Sequence, residues 1–253
     1  MITGSWAALA GLIVAIGITL SSQPTLAAPT CPASPPTPAL NLPHLKLALA
    51  KGQQGLVVAL GSSSTEGTMA SDPGRTYPAD LQAFLSAALP SRHIAVINRG
   101  IGGQDARAEL ARLEADVIAV RPQLVIWQVG ANAALRADNS DTFHELVSAG
   151  VRKLQAANID VVLMDNQRSP KILASPSDAV FDQSLADIAR ETGVGLFSRN
   201  QLMQSWEREG AAPALFVATD GLHHNNLGYR CVAQALATDI LTAVTPPALS
   251  ASR

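Results

Sequence analysis

The chain has 253 residues, 47% of them hydrophobic, and its charges nearly cancel, with 18 Lys and Arg against 20 Asp and Glu. That length suits one folded domain with a sizeable core. With no basic run and only 4% aromatic residues, the composition excludes a nucleic-acid-binding surface.

The first 28 residues stand apart. Residues 1–27 hold no Asp, Glu, Lys or Arg, and the apolar run from Trp6 to Leu20 leads into "SSQPTLAAPT". An apolar centre of about 15 residues followed by small residues reads as a signal peptide, cut near Ala27 or Ala28. The other reading is a retained N-terminal anchor, although about 15 residues fall short of the roughly 20 that span a bilayer. The expectation is export to the periplasm or outside, with no stable membrane span after cleavage, or anchoring if the segment stays. Residues 29–43, within "APTCPASPPTPALNLP", are Pro-rich and read as an extended linker. The two cysteines, Cys31 and Cys231, could pair in an oxidising compartment. Alternatively Cys231 is a buried free thiol.

A folded body over 44–246 and a tail over 247–253 complete the chain. Within the body, short aliphatic runs alternate with helix-like segments. "GLVVALG" (55–61), "HIAVIN" (93–98), "QLVIWQVG" (123–130), "IDVVLMD" (159–165) and "VGLF" (194–197) are apolar on both faces, as expected of strands in a parallel sheet covered by helices on both sides. Helical spacing marks 77–89, 106–120, 141–157 and 177–192. Right-handed crossovers then predict an α/β fold of three layers, α/β/α, around one five-stranded parallel sheet. In such sheets, sites form beyond the carboxyl ends of the strands.

Those ends carry the chemistry-bearing residues. The first strand runs into Gly61-Ser62-Ser63-Ser64, the second into "NRGIGGQDA" (98–106) and the third into "GANAALR" (130–136), while "ATDGLHHNNLGY" (218–229) precedes the last helix. Each has an ordinary reading. Serines after a strand cap turns, glycines permit tight turns, Asn132 caps a helix, and Asp220 with His223 forms a surface pair. The glycines do not make a dinucleotide fingerprint, since no third glycine follows at the needed spacing. The G-x-S-x-G elbow is absent, because Thr65 stands where its last glycine would be. No Cys/His spacing suggests zinc, and no further carboxylate or cysteine cluster accompanies Asp220 and the two histidines.

Taken in order, the four blocks resemble those of SGNH hydrolases of the GDSL esterase and lipase group, over about Gly55 to Tyr229. "GSSSTEG" is similar to that family's Gly-Asp-Ser-Leu-Thr-Glu-Gly block, "NRGIGGQ" to its second block, "GAN" to its Gly-x-Asn and "DGLH" to its Asp-x-x-His. The resemblance implies a flavodoxin-like SGNH hydrolase fold. It also implies a catalytic triad of Ser63, His223 and Asp220, with an oxyanion hole from the Ser63 and Gly103 N–H groups and the Asn132 amide. It implies no cofactor. The partner would be a small-molecule or carbohydrate ester. Ser62 and Ala133 stand where the family usually has Asp.

A serine hydroxyl needs a base to take its proton as it attacks, and a histidine oriented by a carboxylate is suited to that near neutral pH. The implied chemistry is ester hydrolysis through an acyl-enzyme. The alternatives are acyl transfer to a sugar hydroxyl, or a non-catalytic carbohydrate-binding protein on a degenerate fold. His224, Ser62 and Ser64 are the nearest competitors for the triad roles. Trp127 reads as core. Gln167 and Arg168, in "MDNQRSP" (164–170), are candidates for the substrate rim, the ordinary reading being a solvated loop.

Overall fold

The five aliphatic runs become five parallel strands of one sheet, ordered β2-β1-β3-β4-β5. The computed structural model describes residues 1 and 30–245. The expected signal peptide, the first residue of the linker and the tail lie outside these residues. In chain order the elements are α1 (Pro43–Ala50), β1 (Gly55–Gly61), α2 (Ser63–Glu66), α3 (Tyr77–Ala88), β2 (Ile94–Gly100), α4 (Ala106–Ala111), α5 (Leu113–Asp116), β3 (Leu124–Gln128), α6 (Ala131–Arg136) and α7 (Ser140–Ala156). There follow β4 (Asp160–Met164), α8 (Pro170–Leu173), α9 (Asp178–Thr192), β5 (Gly195–Phe197), α10 (Arg199–Arg208) and α11 (Asn226–Val244).

The period of two along a strand divides the core into two layers. Val57 and Ala59 of β1, Leu124 and Ile126 of β3, and Val162 and Met164 of β4 face α1, α3, α10 and α11. Val58 and Leu60, Val125 and Trp127, and Val161 and Leu163 face α4, α7 and α9. This is the three-layer flavodoxin-like arrangement, with the order reversing between β1 and β3. Only β1, β3 and β4 are apolar and buried on both faces. β2 and β5 are edge strands, partly exposed over most of their length.

The segment read as one helix over 106–120 is broken into α4, α5 and a 3-10 turn at Ile118–Val120. The break falls at Arg112, which leaves helical geometry. Its side chain reaches the Gly61 carbonyl (3.0 Å), the Gln104 side chain (2.6 Å) and Asp116 (2.7 Å). The Pro-rich stretch has no helix or strand before Pro43, and it is tied to the body. A Cys31–Cys231 disulfide joins it to α11, Thr37 donates to Asp239 (2.8 Å), and Leu40 and Leu42 are buried in the core. No helix among the described residues is long and apolar enough to cross a membrane.

Candidate active site

Ser63 opens α2 directly after β1. The N–H groups of Thr65 and Glu66 bond to the Ser62 carbonyl and those of Gly67 and Thr68 to the Ser63 carbonyl, so the serine sits on a tight strand-to-helix turn. The turn is anchored from below by Gln128 at the end of β3, whose fully buried Oε1 accepts from the Ser62 N–H (3.2 Å), the Ser62 hydroxyl (3.3 Å) and the Thr65 hydroxyl (3.2 Å). From the side, Asn98 of β2 donates to the Thr65 carbonyl (2.8 Å). Gly100 allows this approach: a Cβ there would stand 1.9 Å from the Glu66 nitrogen.

Of the three consecutive serines, Ser63 meets His223, its Oγ 2.7 Å from Nε2. The other imidazole nitrogen, Nδ1, lies 2.6 Å from Asp220 Oδ2. A carboxylate can only accept here, so Nδ1 carries the proton and Nε2 is free to accept from the Ser63 hydroxyl. Asp220 sits in a turn ahead of α11. Its Oδ1 accepts from the Leu222 and His223 N–H groups (both 3.0 Å), so one carboxylate both shapes the turn and orients the ring. Partial burial would raise its pKa, but the bond from His223 and the two backbone N–H groups together hold it below the usual carboxylate value. It therefore stays ionised at neutral pH.

The neighbouring His224 points the other way. It is fully buried, its Nδ1 donates to the Phe216 carbonyl (3.1 Å), and burial, with Arg199 nearby, pushes its pKa down to about 3. It holds the loop before α11 as a neutral side chain. Ser62 is engaged with Gln128, and Ser64 is buried.

The Gly-rich stretch after β2 forms a turn over Ile101–Gln104, closed by a 3.4 Å bond from the Gln104 N–H to the Ile101 carbonyl. Gly103 has φ +76°. Positive φ at the third position of a four-residue turn favours glycine and matches a type II turn. The turn lies beside Ser63: a Cβ on Gly102 would be 3.9 Å from Ser63 Cβ. The Gln104 N–H closes the turn and the Ile101 N–H bonds to the Gly61 carbonyl (3.0 Å), leaving the Gly103 N–H outside both. Asn132, on α6, donates one amide hydrogen to the Gln104 carbonyl (2.7 Å). Among the described residues the second amide hydrogen has no partner. Ser63, Gly103, Asn132, His223 and Asp220 thus gather at one end of the sheet.

A profile of the non-GDSL lipase-like family matches residues 28–246. The chain belongs to that family. No curated protein matches the sequence. Among solved structures, the family member resembles a two-domain esterase active on acetylated mannans (24% identity, TM-score 0.70), with 82% of this chain and 55% of that chain covered. It thus spans about half of that protein. An acetylxylan esterase from Geobacillus stearothermophilus is similar at 22% identity and TM-score 0.63, covering 74% of this chain and 94% of that chain. A psychrotrophic esterase from Pseudoalteromonas sp. is similar at 23% identity and TM-score 0.62, covering 74% and 96%. These likenesses establish a shared fold.

Gln167 and Arg168 are both engaged inside this family fold. Gln167 is buried and donates to the Leu222 carbonyl (2.9 Å), between Asp220 and His223. Arg168 forks onto Glu207 (3.0 and 3.2 Å) and reaches Asn200 (3.2 Å). Neither is free at a substrate rim, and Gln167 is not in a solvated loop. Trp127 is fully buried, and its indole N–H donates to Glu109 (2.7 Å). Asn98, which opens the second block, supports the site, as do Arg112, Gln128 and Arg136, which belong to none of the four. The signal for Asn98 and Gln128 is a polar side chain at the carboxyl end of an aliphatic run, which marks the residue but not its partner.

Proposed function

We propose that the protein is a serine hydrolase of carboxylic esters, acting on short acyl groups and on acetyl groups carried by carbohydrate. The observation that carries the reading is the single imidazole bridging Ser63 at 2.7 Å and Asp220 at 2.6 Å. In this reading Ser63 Oγ attacks the ester carbonyl while His223 Nε2 takes its proton. Asp220, held ionised, stabilises the imidazolium and keeps its orientation. Negative charge on the former carbonyl oxygen is received by the Ser63 and Gly103 N–H groups and the free amide hydrogen of Asn132. The imidazolium then protonates the leaving alcohol. The same nitrogen later activates water to release the acyl group from Ser63.

The carbohydrate assignment is supported by the mannan- and xylan-acting esterases that share the fold. Export is supported by the segment expected at 1–28 and by the Cys31–Cys231 disulfide, since such bonds persist in oxidising compartments.

The test is fluorophosphonate labelling of the protein, read by peptide mass spectrometry, alongside hydrolysis of aryl acetate and acetylated mannan and xylan oligosaccharides. Label on Ser63, lost in Ser63→Ala and His223→Ala with loss of turnover, is the expected result. A folded protein that takes no label and turns over no ester refutes it.

A further inference from the structure

Helix α6 is only six residues long, yet two of its side chains reach the same turn. Asn132 and Arg136 are four residues apart and so share one face. Asn132 donates to the Gln104 carbonyl at 2.7 Å, and Arg136 donates to the Gly103 carbonyl at 2.6 Å. Two consecutive carbonyls of the turn are thus gripped from one helix. Arg112 holds the other side, through the Gln104 side chain (2.6 Å) and the Gly61 carbonyl (3.0 Å) that precedes the nucleophile. Helix α6 stops immediately after Arg136. Ala137 takes the left-handed conformation (φ +53°), which alanine rarely adopts, and its N–H closes the helix on Ala133 and Ala134. The arginine is therefore presented from a fixed helix end. Its one ion-pair partner among the described residues, Asp105, is 3.5 Å away.

The geometry points to Arg136 as a positioning residue of the oxyanion hole, an inference that rests on the esterase reading above. The bond to the Gly103 carbonyl fixes the peptide that follows Gly103. With Asn132 on the next carbonyl, it prevents the turn from rotating the Gly103 N–H away from the carbonyl oxygen under attack. Arg136 itself touches neither the triad nor the reacting atoms.

The experiment measures kcat and KM on an aryl acetate for wild type, Arg136→Met, Arg136→Lys, Asn132→Ala and the Arg136→Met/Asn132→Ala pair, with thermal unfolding of each. Arg136→Met is expected to lower kcat at least tenfold with KM within about twofold, while Arg136→Lys, which keeps one charged donor, recovers most of the loss. Because both residues act on one turn, Arg136→Met should cost less than about threefold when Asn132 is already alanine. Wild-type kcat in Arg136→Met, or a loss fully additive with Asn132→Ala, overturns the inference while leaving the esterase reading intact. So does a loss that tracks the unfolding midpoint and is not rescued by lysine. If wild type shows no Ser63-dependent turnover, the esterase reading falls and this inference with it.

Discussion

Breaking the Cys31–Cys231 bond should destabilise the protein strongly and leave its chemistry nearly untouched. The bridge spans 200 residues of sequence. In the chain-entropy treatment, closing a loop of that length removes about 18 cal/mol/K from the unfolded ensemble, or about 5 kcal/mol at 25 °C. A body of this size loses about 2–4 °C of Tm per kcal/mol, so the midpoint should fall by about 10–20 °C. Cys231 lies on the second turn of α11, close to His223 in sequence. The loop that carries His223 nevertheless has its own anchors: His224 on the Phe216 carbonyl (3.1 Å), Asn225 capping Gly228 (2.9 Å) and Gln167 on the Leu222 carbonyl (2.9 Å). At 25 °C the Cys31→Ser/Cys231→Ser protein should therefore keep kcat within about twofold while its denaturation midpoint collapses. The assay is urea and thermal unfolding of both proteins, with ester turnover measured well below either midpoint. A stability change under about 1 kcal/mol would refute the loop-closure reasoning. A large loss of kcat in folded protein would refute the separation of strap from site.

Three further outcomes are expected. Asn132→Ala should lower kcat by about 10²–10³ through loss of the proposed oxyanion donor, and cost about 1 kcal/mol of stability by removing its part-buried bond to the Gln104 carbonyl; both are read from steady-state kinetics and unfolding of one variant. Gln167→Leu should destabilise by about 1 kcal/mol and lower kcat several-fold with KM unchanged, because the turn between Asp220 and His223 loses its support. Glu109→Gln should flatten the pH dependence of stability. Burial raises the Glu109 pKa to about 8, against 4.5 for an ordinary glutamate. The native state thus holds a proton that the unfolded chain releases, and stability is full below about pH 4.5, falls as pH rises towards 8 and is level above. At about 1.4 kcal/mol per pH unit the slope removed amounts to a few kcal/mol. The buried Asp165, also raised to about 8, keeps its own share in both proteins. Parallel unfolding curves for wild type and Glu109→Gln between pH 5 and 8 would refute this.

The parts legible in the sequence are those whose cause is local. All five strands fall on the aliphatic runs, and for β1, β3 and β4 the cause is burial between two helical layers, which requires that composition. The helix over 106–120 was misread because its periodicity is sound up to Arg112. What breaks it is a bond to Gly61, 51 residues away in sequence. The same distance effect divides the site. Ser63, Gly103, Asn132, His223 and Asp220, the residues of the proposed site, are candidates in the sequence because each sits in a short block with a recognisable neighbour. Gln128 and Arg136 are not, because their partners lie on other elements and nothing beside them in sequence announces the contact. Gln167 was visible as a residue at a strand end, but whether such a side chain faces solvent or the underside of the next loop depends on chain that returns 55 residues later.

Ser62 connects these two kinds of legibility. The GDSL pattern puts a carboxylate there, which would be expected to support the geometry of the turn. In the structure the acceptor comes from across the sheet: Gln128 Oε1 takes the Ser62 N–H, the Ser62 hydroxyl and the Thr65 hydroxyl together. A neutral amide oxygen fully buried under the turn performs the holding that the pattern assigns to a charged side chain. It does so without placing a second carboxylate near the His223–Asp220 pair. The turn that carries Ser63 is thus held without the GDSL aspartate. The polar contact has moved from the residue before the serine to the end of the neighbouring strand.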